Sequence, residues 1–122
     1  MTHWTFKSIV TESLPGDTSH SPEQRQVHGA CYSWASPKPT AEPTCIAVSD
    51  DLARMFKISK SEYSSSLFTK LFSGNHITNN MAPYAMCYGG HQFGHWAGQL
   101  GDGRAINLGE IILAKANAAL EN

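Results

Sequence analysis

The chain has 122 residues, with nine basic and ten acidic side chains and a net charge of −1. This length is typical of one domain, and the near-neutral charge disfavours a general nucleic-acid binder, which normally carries a basic excess. No apolar stretch approaches the roughly 20 residues that span a bilayer, and the first residues lack a signal-peptide pattern. We therefore expect a cytoplasmic protein without a membrane partner.

The three cysteines, Cys31, Cys45 and Cys87, have neither paired nor metal-site spacing. An odd count without C-x-x-C spacing does not indicate a disulfide framework. We expect three small, buried, inert thiols in a reducing compartment.

The first 75 residues divide into two parts by composition. Residues 1–26 are polar and carry turn signals at Leu14–Asp17 and Ser19–Pro22, which predict an irregular lead. Residues 27–75 begin with prolines that favour an extended segment. A very short strand at Cys45–Val48 and two short helices are predicted to follow.

The two predicted helices carry separate apolar stripes. The first spans Asp50–Lys57, with Ser49 as its N-cap and acids in the first turn, which suits the helix dipole. The second follows the apolar spacing from Tyr63 to Phe72 and ends at Gly74–Asn75. Both stripes are expected to face a core.

Glycine is concentrated between Tyr84 and Glu110, which hold seven of the ten glycines. The pattern predicts a glycine-rich β-hairpin over residues 84–113, with strands at Phe93–Leu100 and Ala105–Leu113 and a turn between them. Phe93 and Trp96 are expected to lie in the core beneath it.

The predicted turn contains Gly101, Gly103 and Arg104. Main-chain N–H groups of such a turn can cradle an anion, and an arginine can clamp phosphate oxygens. An ordinary Asp-Gly hairpin turn explains the same residues, so both interpretations stay open at this point.

Other motifs indicate neither metal binding nor nucleophilic catalysis. His91 and His95 are four residues apart, but the surrounding glycines disfavour a helix and no further ligand has zinc-site spacing. The serines at 64–66 fit a polar helix face, and no nucleophile–base set or Walker A sequence is present.

Two runs nevertheless resemble the signature of a known family. They are Tyr-Ala-Met-Cys-Tyr-Gly-Gly-His-Gln-Phe-Gly from Tyr84 and Trp-Ala-Gly-Gln-Leu-Gly-Asp-Gly-Arg-Ala-Ile-Asn-Leu-Gly-Glu from Trp96. Their combination resembles the selenoprotein O (YdiU) family of kinase-like protein adenylyltransferases. Further pieces fit in order upstream, so the resemblance covers about Val27 to Glu110.

The resemblance implies an α+β fold: an incomplete protein-kinase-like N-terminal lobe, with short helices followed by the glycine-rich hairpin. It implies ATP with Mg or Mn as substrate and transfer of AMP to Ser, Thr or Tyr hydroxyls of partner proteins. Gly101, Gly103 and Arg104 match the family's ATP-binding positions.

By the same resemblance, the nucleotide lysine, the catalytic acid and the metal ligands are expected beyond Asn122. No catalytic or metal-binding residue is therefore predicted within the chain, which is expected to be an N-terminal portion that is inactive alone. The alternative is a free-standing nucleotide-binding or interaction module without turnover.

Overall fold

The structure is a computed structural model and describes residues 4–21, 23, 25–102 and 105–113. In chain order its elements are β1 (Phe6–Lys7), α1 (Ile9–Ser13), β2 (Tyr32–Trp34), α2 (Asp50–Met55), α3 (Lys60–Tyr63), α4 (Ser66–Phe72), β3 (Tyr84–Gln92), β4 (His95–Asp102) and β5 (Glu110–Ile111). Short helices and antiparallel strands make this an α+β fold, as predicted. The kinase-like lobe stays a prediction.

The described strands form two antiparallel sheets. The larger sheet has the order β2-β3-β4, with β3 in the centre. Trp34 lies opposite Tyr84 on one side of β3, and Gln92 lies opposite His95 on the other. The smaller sheet pairs β1 with β5, so it brings the beginning of the chain to the region after the hairpin.

The hairpin turn lies elsewhere than predicted. It consists of Phe93 and Gly94, which connect β3 to β4 and have φ values of 50° and 80°. Two successive positive φ values are typical of a type I′ turn, whose twist matches the twist of the flanking strands. The predicted turn at 101–104 is therefore wrong at Gly101, which lies in β4 opposite Tyr88.

The strands on either side of the hairpin turn also differ from the prediction. The first strand is β3, which the sequence analysis missed because glycines and polar residues interrupt its apolar pattern. The predicted strand Ala105–Leu113 reduces to β5, which pairs with β1 and not with the hairpin.

The helical region contains one more helix than predicted. Ser49 caps α2 as expected, accepting a hydrogen bond from the Leu52 N–H. The second predicted helix is divided because Ser65 starts α4 with its own cap, accepting from the Phe68 N–H. The last helix ends just before Gly74, as predicted, and Gly74 itself has a left-handed φ of 78°.

Two predictions for the first half of the chain are wrong. The lead is not irregular throughout, because Phe6–Lys7 pairs with β5 and Ile9–Ser13 forms a helical turn. Cys45–Val48 forms no strand, because Pro43 and the exposed backbone after it have no partner strand among the described residues.

The core is small and consists mainly of aromatic and small side chains. Its buried apolar members are Trp4, Tyr32, Ala53, Leu71, Met81, Tyr84 and Ala85. The Trp4 ring packs against the rings of Phe6, Phe56 and Phe72. The lead is thereby held against α2 and α4.

Several side chains expected in the core are exposed. Phe93 is 99% and Trp96 64% exposed, because the two-residue turn projects the hairpin end away from the rest of the described chain. Leu52 and Met55 on α2 are half exposed, and so are Leu67 and Phe72 on α4. The cysteines are free thiols but none is buried, since Cys45 is exposed and the other two are half-buried.

A partly buried polar contact joins the two sheets. The Tyr84 hydroxyl donates to Glu110 Oε1 at 3.1 Å, and Glu110 Oε2 accepts from the Ile9 N–H at 2.8 Å. Burial and then the Glu110 carboxylate raise the pKa of Tyr84 above its ordinary value. The phenol therefore remains a donor.

The close approach of the two hairpin strands requires a glycine at position 89. A Cβ at this position would lie 2.6 Å from the Gly98 carbonyl oxygen, which is backbone and cannot rotate away. We expect Gly89→Ala to lower the free energy of unfolding by about 1–3 kcal/mol, measured by urea denaturation. Gly90→Ala is the matched control, because its Cβ would meet only the flexible end of Leu100. Equal stability of the two variants would contradict this account of Gly89.

Candidate functional site

The structure describes one of the three predicted ATP-binding residues. Gly101 lies near the end of β4 and pairs with Tyr88, and the next residue, Asp102, pairs with Cys87. Gly103 and Arg104 lie outside the described residues. β4 is at the edge of the sheet in the part of the chain that the structure describes. Alternate main-chain N–H groups of an edge strand point away from the sheet and are available to a ligand.

A large open cavity of about 1010 Å³ borders this end of β4. Its lining includes Gln99 and Leu100, which precede the predicted ATP-binding residues in sequence, and Ile106, which follows them. Its wall also carries Arg25 and Lys38. The volume is at the upper end of the range of small-molecule sites. Lys38 brings positive charge to the wall, whereas Arg25 is paired with Asp17 and Glu23 brings negative charge.

A nearly buried carboxylate contacts two residues of the wall of this cavity. Asp17 is only 8% exposed and accepts hydrogen bonds from Arg25 Nη2, from the Ser19 N–H at 3.0 Å and from Ser33 Oγ at 3.2 Å. Ser33 Oγ is in turn 3.5 Å from Cys87 Sγ. Arg25, Ser33 and Cys87 all line the cavity, so this cluster connects the lead to the sheet at the cavity wall.

Comparison with known proteins gives these residues a context. Residues 17–119 match the sequence profile of a family described as "Protein adenylyltransferase SelO". The chain belongs to the SelO family. The match begins at residue 17, about ten residues before the signature pieces that start at Val27.

Individual relatives agree with this membership. The chain is 52% identical over 117 residues to a protein of Aromatoleum aromaticum named "Protein nucleotidyltransferase YdiU", covering 92% of the chain and 22% of that relative. Proteins of the same name from Methylobacillus flagellatus and Azoarcus sp. are 46% and 48% identical, each over 88% of the chain and 21% of the relative. The chain thus spans about a fifth of the length of the SelO-family relatives that it matches.

The described residues show neither a metal cluster nor a membrane-spanning helix. No three His, Cys, Asp or Glu side chains within them converge as a metal site would require. His91 and His95 lie in β3 and β4, and the His91 ring contacts Trp96 with centroids 5.1 Å apart. No helix in the described ranges is long and apolar enough to cross a membrane.

The sequence analysis did not identify the cluster around Asp17. Asp17 stands there only as the end of a turn signal, Cys87 only as one of three cysteines and as part of a signature run, and Ser33 is not singled out. The contacts join residues 16 and 54 positions apart, so no local pattern reveals them. The match of the SelO profile from residue 17 was the one available signal.

The Asp17 carboxyl should titrate abnormally. The Arg25 guanidinium and then the Ser19 N–H hold the pKa of Asp17 below its ordinary value of 3.8, against an opposing effect of burial. A carboxyl that is more acidic when folded stabilises the fold above pH 3.8. That stability is lost as the pH falls through the lowered folded pKa.

We expect Arg25→Gln to raise the pKa of Asp17 toward its ordinary value, because the variant removes the main cause of the shift. Carboxyl 13C chemical shifts recorded across an acid titration measure this directly. Arg54→Gln is the control, since Arg54 pairs with Asp51 on α2. An Asp17 titration that is the same in both variants would contradict the assigned cause.

Proposed function

We propose that this chain contributes part of the ATP site of a protein adenylyltransferase, which transfers AMP from ATP to Ser, Thr or Tyr hydroxyls of other proteins. Membership of the SelO family is the observation that carries the proposal. The names of the relatives, which specify protein nucleotidyl transfer, support it.

In the proposed reaction, a protein hydroxyl oxygen attacks the α-phosphorus of ATP. The bond from that phosphorus to the bridging oxygen of the β-phosphate breaks, pyrophosphate leaves, and the hydroxyl loses its proton. Transfer of this kind depends mainly on holding the phosphates and stabilising their charge. Those are the tasks that we assign to this chain.

Gly101, Gly103 and Arg104 are the residues that we propose for ATP binding. A glycine leaves the backbone open to a phosphate oxygen, and a guanidinium can bind two phosphate oxygens at once. The edge position of β4 and the cavity between Leu100 and Ile106 agree with a ligand at this end of the sheet. Lys38 adds positive charge to the cavity wall, where Arg25 is already paired with Asp17.

We assign no metal ligand to the described residues, since they hold no converging set of donors. The Mg or Mn expected with ATP, the catalytic acid and the nucleotide lysine remain expectations for the region after Asn122. The phosphate contacts that we assign to this chain are argued without them. A cytoplasmic location likewise remains an expectation.

The reaction class can be tested in a chimaera. Residues 17–119 replace the matching residues of the A. aromaticum relative, and protein is incubated with ATP labelled at the α- or the γ-phosphate. We expect label to enter protein from α-labelled ATP only, because the γ-phosphate leaves with pyrophosphate. The unmodified relative is the positive control. Incorporation of the γ-label would overturn the proposal in favour of phosphoryl transfer.

The same assay tests whether the isolated chain is active and whether Arg104 binds ATP. We expect the 122-residue chain alone to transfer no label, and transfer by it would defeat the view that its site is incomplete.

In the chimaera, Arg104→Ala should raise the KM for ATP roughly 10- to 100-fold, because charged hydrogen bonds to phosphate are lost. Arg54→Ala on α2 is the matched control. Binding of ATP without transfer in the chimaera would favour the alternative binding module.

A further inference from the structure

The proposed AMP transfer does not use Asp17, a nearly buried carboxylate whose partners come from both the lead and β2. We propose that Asp17 is a positioning residue for the ATP site, which acts through Ser33 and Cys87 to hold β3 in the register that places Gly101. This inference rests on the proposed function, because it assigns importance to the position of Gly101.

The hydrogen bonds of the cluster have a defined direction. Ser33 has a single hydroxyl proton and donates it to Asp17 Oδ2 at 3.2 Å. In the 3.5 Å contact between Ser33 Oγ and Cys87 Sγ, the thiol is therefore the donor. The result is a relay from Cys87 on β3, through Ser33 on β2, to the Asp17 carboxylate.

The carboxylate at the end of the relay is fixed independently of β3. The main-chain N–H of Asp17 donates to the Tyr32 carbonyl at 2.9 Å. Arg25 and the Ser19 N–H hold its side chain from the lead. Asp17 can therefore act as an anchor to which β3 is tied, rather than as a group that moves with β3.

The relay ties β3 to β2 beside the residues that place Gly101. The β2–β3 ladder is only three residues long, and Cys87 follows it directly. On the other side of β3, Cys87 and Tyr88 lie opposite Asp102 and Gly101. A slip of β3 by one residue along β2 would turn each of its side chains to the opposite face. Such a slip would take the Cys87 thiol away from Ser33 and would carry Gly101 along with β3, so the relay opposes it.

The test compares Ser33→Ala, which breaks the relay, with Ser33→Thr, which keeps the hydroxyl. Amide hydrogen exchange is measured by NMR in the 122-residue chain without nucleotide. We expect Ser33→Ala to lower the protection of the slowest amides in residues 84–88 and 99–102 roughly fivefold. Ser33→Thr should restore it. Ser36→Ala, an exposed serine that lines the same cavity, is the control.

A merely structural role predicts a different pattern. Equal loss of protection in α4 and in the β1–β5 pair would mean general destabilisation, and unchanged protection at 99–102 would mean that the relay does not act there. Either result overturns the proposal. Asp17→Ala should reproduce the local loss, and the double variant with Ser33→Ala should add little to it, because both changes interrupt one relay.

Kinetics of the chimaera test separately whether the relay affects ATP binding. We expect Ser33→Ala there to raise the KM for ATP about fivefold with kcat nearly unchanged, and Ser33→Thr to behave as the parent. A changed register with an unchanged KM would overturn the positioning role while leaving the proposed function intact. A chimaera that transfers no AMP in any form overturns the proposed function, whereas the exchange result stands on its own.

Discussion

Tyr84 is the residue on which the arrangement of the two sheets depends. Its backbone exchanges hydrogen bonds with Asn107, N to O at 3.0 Å and O to N at 2.8 Å, while its hydroxyl reaches Glu110 on β5. Its ring packs against Tyr32 on β2. Tyr84 is only 3% exposed, so breaking these bonds would leave its own polar groups buried without partners, which is costly. The starting point of β3, and with it the position of β4, is therefore fixed from several sides.

The sequence was most informative where the deciding contacts are local. Ser49 caps α2, and Gly74 follows α4 in a left-handed conformation, because both features depend on residues within a single turn. The hairpin was misplaced because the Asp-Gly pair at 102–103 is the stronger local turn signal. A positive φ at Phe93 is uncommon for such a residue, and only pairing along both edges of β3 makes it the turn.

The apolar stripes show a second limit of sequence patterns. Periodicity predicted core-facing stripes on α2 and α4, which the structure bears out only in part, because a pattern cannot say what covers a face. In the described structure Leu52 and Met55 remain half exposed, whereas Ala53 and Leu71 are buried. For the site, the sequence and the family resemblance indicated Gly101. They could not reveal the Asp17–Ser33–Cys87 cluster, whose members meet only after the lead and both strands have come together.

Some of the glycines in the hairpin are explained by the hairpin itself and do not indicate a ligand. Gly89 is explained by the close approach of the Gly98 carbonyl, and Gly94 by the positive φ that the turn needs. These glycines would be required in a hairpin that bound nothing, so they are not evidence for phosphate. The ligand argument therefore depends on the family resemblance and, within the described residues, on Gly101, which lies in β4 and not in the hairpin turn. The phosphate contact proposed for Gly101 would use backbone at the edge of the described sheet, and it would need that edge to keep a single register.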